Sequence, residues 1–173
     1  MKRNFEIMRL VVCAAICLAT LAPVLAAAQA QPGEVLTGDQ LKKVVPGTFF
    51  FAGQVATVQA RNSTALKIAS GKIVSAGLVD TSGYATAIAE KFQGFLIAET
   101  KLSIEGQTLE PGCYGFGFRD GKFIVMNVAG TDLFSVASQG DDQLKHPVPL
   151  KFEKSEAGYR LYSGRKYVVV KVG

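Results

Sequence analysis

Between positions 114 and 118 the chain alternates aromatic side chains with glycine: Tyr114, Gly115, Phe116, Gly117 and Phe118, followed by Arg119, Asp120, Gly121 and Lys122. A period of two is the side-chain period of a strand, whereas a helix would scatter the three rings around its circumference. Asp-Gly is a favoured pair for a two-residue type I′ turn, in which both central residues have positive φ. The stretch therefore predicts an antiparallel hairpin whose first strand is aromatic on one face and bare on the other. Bare glycines in a strand leave room for another backbone or for a ligand. Tyr114, Gly115, Phe116 and Gly117 are accordingly candidate binding residues.

Similar punctuation runs through the second half of the chain. Residues 95–100, 113–119, 122–128, 133–137, 148–153, 159–163 and 166–172 read as short strands, with Gly or Asp between most neighbours. Further turns are expected at 156–158 and at Gly164. Seven or more short antiparallel strands imply a mainly β fold, either a sandwich or a small barrel. One or two short helices would accompany it, leaving an α+β arrangement possible.

The first half carries the helical signals. Thr37 and Gln40 match a capping box, and Leu41, Val44 and Val45 form one face, so a helix is expected over 38–45, stopped by Pro46 and Gly47. Phe49, Phe50 and Phe51 form a fully apolar run, expected as a buried strand or an anchor for the core. Val55, Val58, Leu66 and Ile68 fit neither period cleanly, and 56–68 is read as a helix. A strand over 72–79 should precede a turn at Asp80, Thr81, Ser82 and Gly83, with a short helix over 84–92 after it.

The stretch Leu109, Glu110, Pro111, Gly112, Cys113, Tyr114, together with the hairpin that follows, resembles secreted bacterial β-proteins of unknown function. In those, a Leu-x-Pro/Ala-Gly-x-Tyr run opens a strand that leads into a hairpin. Leu161, Tyr162, Ser163, Gly164, Arg165 and Lys166 fit the same likeness, which covers the C-terminal half. What it implies is a fold and a location outside the cytoplasm; it transfers no active residue.

The start of the chain points the same way. Lys2, Arg3 and Arg9 precede an uncharged apolar run from Leu10 to Leu25, and Ala26, Ala27, Ala28, Gln29 and Ala30 follow. This is the layout of a secretory signal, with small residues where a peptidase cuts. The run has sixteen residues and contains Pro23, against about 20 for a membrane span, so a cleaved leader is expected over 1–28, cut after Ala28 or after Ala30. Cleavage after Ala28 takes 28 of the 173 residues and leaves 145, expected as a single β-rich domain over 29–173. It removes Lys2, Arg3, Arg9 and Glu6, so the formal charge falls by two, from +5 to +3. Cys13 and Cys17 go with it, and Cys113 alone cannot form an internal disulfide. It is expected to be a small buried residue at a strand start.

Reactive side chains are few. His146, between Lys145 and Pro147, is the one histidine, so nucleophilic triads would all have to pass through it, and no Gly-x-Ser-x-Gly elbow accompanies it. One histidine and one cysteine far apart fall short of a zinc site. Asp132, Asp141 and Asp142 could bind calcium, but the regular loop spacing is missing; no metal and no cofactor is expected. Leu78, Val79, Asp80, Thr81, Ser82 and Gly83 approach the Asp-Thr-Gly loop of aspartic proteases, yet Ser82 interrupts it and no second copy occurs. Arg160, Arg165, Lys166 and Lys171, interleaved with Tyr159, Tyr162 and Tyr167, read as a solvated sheet face.

These observations favour a binding or interaction module over an enzyme. Its partner would be a small molecule, a glycan or an envelope protein, and not nucleic acid; after cleavage the chain would not span a membrane. Candidate contacts are Tyr114, Gly115, Phe116, Gly117, Asp132, Asp141, Asp142 and His146. The alternatives are a hydrolase of unfamiliar type using Asp80, Asp132 or His146, and a structural accessory of an envelope complex.

Overall fold

The expected hairpin is present: Asp120 and Gly121 have φ of 50° and 71°, and Arg119 pairs with Lys122 across the turn. The structure, a computed structural model, describes residues 33–173; the expected leader and its cleavage points lie outside the described residues. The strands are β1 (Gly33–Val35), β2 (Thr48–Phe51), β3 (Gln54–Ile68), β4 (Ile73–Val79), β5 (Gly94–Ala98), β6 (Leu102–Ile104), β7 (Gln107–Leu109), β8 (Gly112–Arg119), β9 (Lys122–Asn127), β10 (Asp132–Ala137), β11 (Gln139–Gly140), β12 (Val148–Ser155), β13 (Gly158–Gly164) and β14 (Lys166–Val172). Two short helices, α1 (Gly38–Val44) and α2 (Thr86–Ala89), lie between them. None of the helices among the described residues is long and apolar enough to cross a membrane.

All strand pairs are antiparallel, and they make two sheets. The first has eight strands in the order β1-β3-β4-β5-β8-β9-β10, with β2 also on β3; the second has six, in the order β12-β13-β14-β6-β7, with β11 on β14. The sheets pack face to face as a sandwich around Leu66, Val74, Leu96, Phe116, Phe123, Val125, Leu161, Val168 and Val170. Three non-local hydrogen bonds link them. The Phe152 N–H donates to Thr64 Oγ1 at 3.0 Å, and the Tyr159 hydroxyl accepts from the Gly33 N–H at 2.6 Å while donating to the Gly33 carbonyl at 2.8 Å.

A second core covers the outer face of the first sheet. Phe49 and Phe51 from β2, with Tyr84 and Phe92 from the segment around α2, close over Phe95 and Met126. The Phe51 ring stacks on Phe92 with centroids 3.8 Å apart. Phe50 is exposed, as is its cross-strand partner Val55, so the triple-Phe run alternates as a strand does and is not buried throughout.

Three other expectations need correction. Residues 56–68 form β3, not a helix. Val55, Thr57, Val58, Thr64 and Ile68 are β-branched and suit a pleated surface, but a bulge hides their alternation: Gln59, Ala60, Arg61 and Asn62 all lie opposite the single residue Leu78. The helix over 84–92 shrinks to the four residues of α2. α1 forms where expected, yet Thr37 caps it only by an extended backbone, with no side-chain hydrogen bond.

Candidate binding groove

The cover over the first sheet reaches Met126 of β9 but stops short of the turn end of β9 and of β10. Alternation puts Lys122, Ile124 and Met126 of β9 on the outer face, and Ser135, paired with Ile124, extends that face to the edge. The cover ends at Lys91, just beyond α2. Between Lys91 and the β8–β9 turn lies an open groove of about 530 Å³, lined by Arg119, Asp120, Lys122, Ile124, Asp132, Leu133, Phe134 and Ser135. A bulge at Leu133 breaks the register between Asp132 and Phe134 and leaves the Leu133 side chain exposed at the rim.

Ion pairs brace the walls. Lys91 Nζ lies 2.6 Å from Asp132 Oδ1, tying the end of the cover to the start of β10. Arg119 donates to Glu90 at 2.8 Å and to Asp120 at 3.1 Å; the hydrogen bond to Glu90 leads the effects that hold its guanidinium more firmly protonated than usual. Among the described residues Lys122 has no ion-pair partner. The groove thus combines apolar Ile124 and Leu133 with two neutralised cations and one uncommitted one.

Of the expected site residues, Asp132 is in the groove. Phe116 faces the inner core and is fully buried. The bare face at Gly115 and Gly117 is filled by protein: a Cβ there would lie 2.3 Å from the Phe51 ring and 2.0 Å from the Lys91 carbonyl oxygen, respectively. Tyr114 is half-buried and donates its hydroxyl to the Glu110 carbonyl at 2.8 Å. The glycines leave room, as expected of a bare strand face, but for the chain's own cover and not for a ligand. Cys113, on the same face beyond that cover, is exposed and not buried.

Asp141, Asp142 and His146 belong to the segment that runs from β11 to β12 over the outer face of the second sheet. Asp142 and His146 are exposed. Asp141 accepts the Tyr162 hydroxyl at 2.7 Å and the Gln143 N–H at 3.1 Å. Arg160 lies 4.6 Å from the centroid of Tyr167 and donates to the Tyr162 hydroxyl at 3.1 Å. Tyr162 and Tyr167 are buried, so Arg160 packs with them as a cluster, while Arg165, Lys166 and Lys171 are exposed. Among the described residues no three His, Cys, Asp or Glu side chains gather as metal ligands would. Asp80 accepts the Ser82 N–H at 3.0 Å, the ordinary turn that its sequence favours.

The Tyr162 hydroxyl, as the leading cause, holds the Asp141 carboxyl below its ordinary range. A depressed folded-state value means that Asp141 contributes stability above about pH 4 and that the contribution is lost as pH falls through the folded value. Urea midpoints followed downward from pH 6 should therefore fall less steeply for Asp141→Asn than for the wild type. Parallel profiles would show that the contact does not couple to folding.

The groove could not be located from sequence because Lys91 comes from a different segment from its other residues. Arg119 and Lys122 were in view as the pair flanking the Asp-Gly turn. Compared with known protein families, curated proteins and solved structures, the chain matches none.

Proposed function

We propose that this chain is a binding module that works outside the cytoplasm and takes, in the groove beside β10, a small ligand with an apolar body and one anionic group. The observation that carries this reading is the lining: Ile124 and Leu133 offer apolar side chains, and Lys122, with no ion-pair partner among the described residues, is a cation at the same rim. Small-molecule sites pair apolar contact with placed polar groups, and here the charged residues Lys91, Arg119, Asp120, Lys122 and Asp132 outnumber the apolar ones. The leader-like first thirty residues support the location.

The hydrolase alternative fits the layout less well. Asp80 follows β4 and Asp132 begins β10, four strand spacings apart in the sheet, about 19 Å, and His146 lies on the segment leading to β12 of the other sheet. General acid–base work needs such groups within hydrogen-bond reach of one substrate.

Native mass spectrometry of the protein purified from its own envelope fraction tests the proposal. The expected polypeptide starts at Gln29 or Gln31 and retains an adduct that Lys122→Glu releases. A polypeptide that keeps its first 28 residues would overturn the location; an adduct retained equally by the variant would overturn the groove.

A further inference from the structure

β10 is the last strand of its sheet, and its free side is unusually open. The Ser138 N–H donates to the Gly121 carbonyl at 2.8 Å, which fixes the alternation: Val136 and Phe134 exchange bonds with Phe123 and Val125. Ser135 and Ala137, the residues between, turn their N–H and C=O groups away from β9. Exposed edges are normally guarded by charge, proline or a bulge. Here the bulge at Leu133 and the charge at Asp132 guard one end, and Phe134, Ser135, Val136 and Ala137 carry no guard. Phe134 and Val136 point to the inner face and pack on the core, yet they are only partly buried, so the core itself is open along this edge.

We infer that a second copy of this chain closes the edge, with β10 pairing antiparallel to β10 about a two-fold axis at Ser135. Pairing must join residues whose backbones face outward and must keep apolar side chains on one face. Centring on Ser135 meets both demands. Ser135 exchanges hydrogen bonds with the partner's Ser135, and Phe134 lies opposite the partner's Val136, a large ring against a smaller side chain. Shifting the centre to Phe134 or Val136 sets two rings or two valines against each other. The charges also agree. Ala137 lies between Lys122 and the partner's Leu133, so Lys122, which has no ion pair among the described residues, stands about 10 Å from the strand that carries the partner's Asp132. That spacing is within reach of an extended lysine. The contact is self-complementary, as a two-fold interface must be, and it joins the two first sheets into one. Because Ser135 lines the groove, it also sets the two proposed grooves side by side. The dimer does not depend on any ligand in them.

Five residues from each chain make a small contact, so the dimer is concentration-dependent. Sedimentation velocity of the mature protein, up to about 1 mM, should show the mass of two chains replacing that of one as concentration rises. Ser135→Pro removes an N–H that the monomer does not use and should keep the chain monomeric with an unchanged circular dichroism spectrum. Paired Ser135 residues bring their Cα atoms to about 5.5 Å, within disulfide range. In a Cys113→Ser background, Ser135→Cys should therefore form a disulfide-linked dimer on mild oxidation, while Ala137→Cys should not. A wild type that stays monomeric throughout, or an Ala137→Cys protein that cross-links as readily as Ser135→Cys, would overturn the inference. Both are read without ligand, so either failure leaves the groove test standing.

Discussion

Replacing Phe51 with Ala should lower the unfolding free energy by about 3–5 kcal/mol, the usual range for deleting a buried aromatic ring. A protein of this size has about 5–15 kcal/mol in total, so the variant would sit near the edge of folding. The reason is position. Phe51 is fully buried, stacks on Phe92, meets Tyr84 edge-on at 6.4 Å and lies over Gly115. No neighbouring side chain can collapse into the space, because the floor beneath it is a glycine. Urea unfolding followed by circular dichroism checks the figure, and a loss under 1 kcal/mol would mean that the second core contributes little. A second cycle sharpens the test. Gly115→Ala forces a Cβ into the ring, but in the Phe51→Ala background that Cβ has space, so the double variant should lose less than the sum of the single losses.

Gly117→Ala should cost about 3 kcal/mol or more, at or above the top of the range for overpacking. The added carbon would fall 2.0 Å from the Lys91 carbonyl oxygen. A flexible side chain could move aside, but this obstacle is backbone. It is also held from both ends: the Lys91 N–H donates to the Ile88 carbonyl and the Gln93 N–H to that of Phe116. The side-chain amide of Gln93 pairs with both the N–H and the carbonyl of Phe118. The chain must lift the segment carrying Lys91, which would also weaken the Lys91–Asp132 pair across the groove. The expected result is a lower urea midpoint together with loss of any ligand that the wild type retains. An unchanged midpoint would mean that the cover is free to shift.

The β class was legible in the sequence because the second half keeps its period of two and marks its turns with Asp120–Gly121 and Gly164. The second pair of short strands, β6 and β7, was missed. Their turn is Glu105–Gly106, with φ of 46° and 87°, the same geometry as Asp120–Gly121 but with a first residue that does not advertise positive φ. Ala52–Gly53, with φ of 47° and 82°, hid the β2–β3 hairpin in the same way, and with it the strand nature of β3. The glycines of β8 leave room as read, but the occupant at Gly115, Phe51, stands more than sixty positions away, and that at Gly117 is the Lys91 carbonyl. The groove was hidden for the same reason, since only the docking of the α2 segment brings Lys91 beside Asp132.

The clasp of Tyr159 on Gly33 spans 126 positions, and the link from Phe152 to Thr64 spans 88. Each brings together chain ends that share no local contact, and such long closures make folding slow. β1 pairs with β3 early in the chain, but the hydrogen bonds that tie Gly33 to Tyr159 of the other sheet form only once β13 is present. Late closure keeps the polypeptide pliable until its end is free, as the proposed export requires.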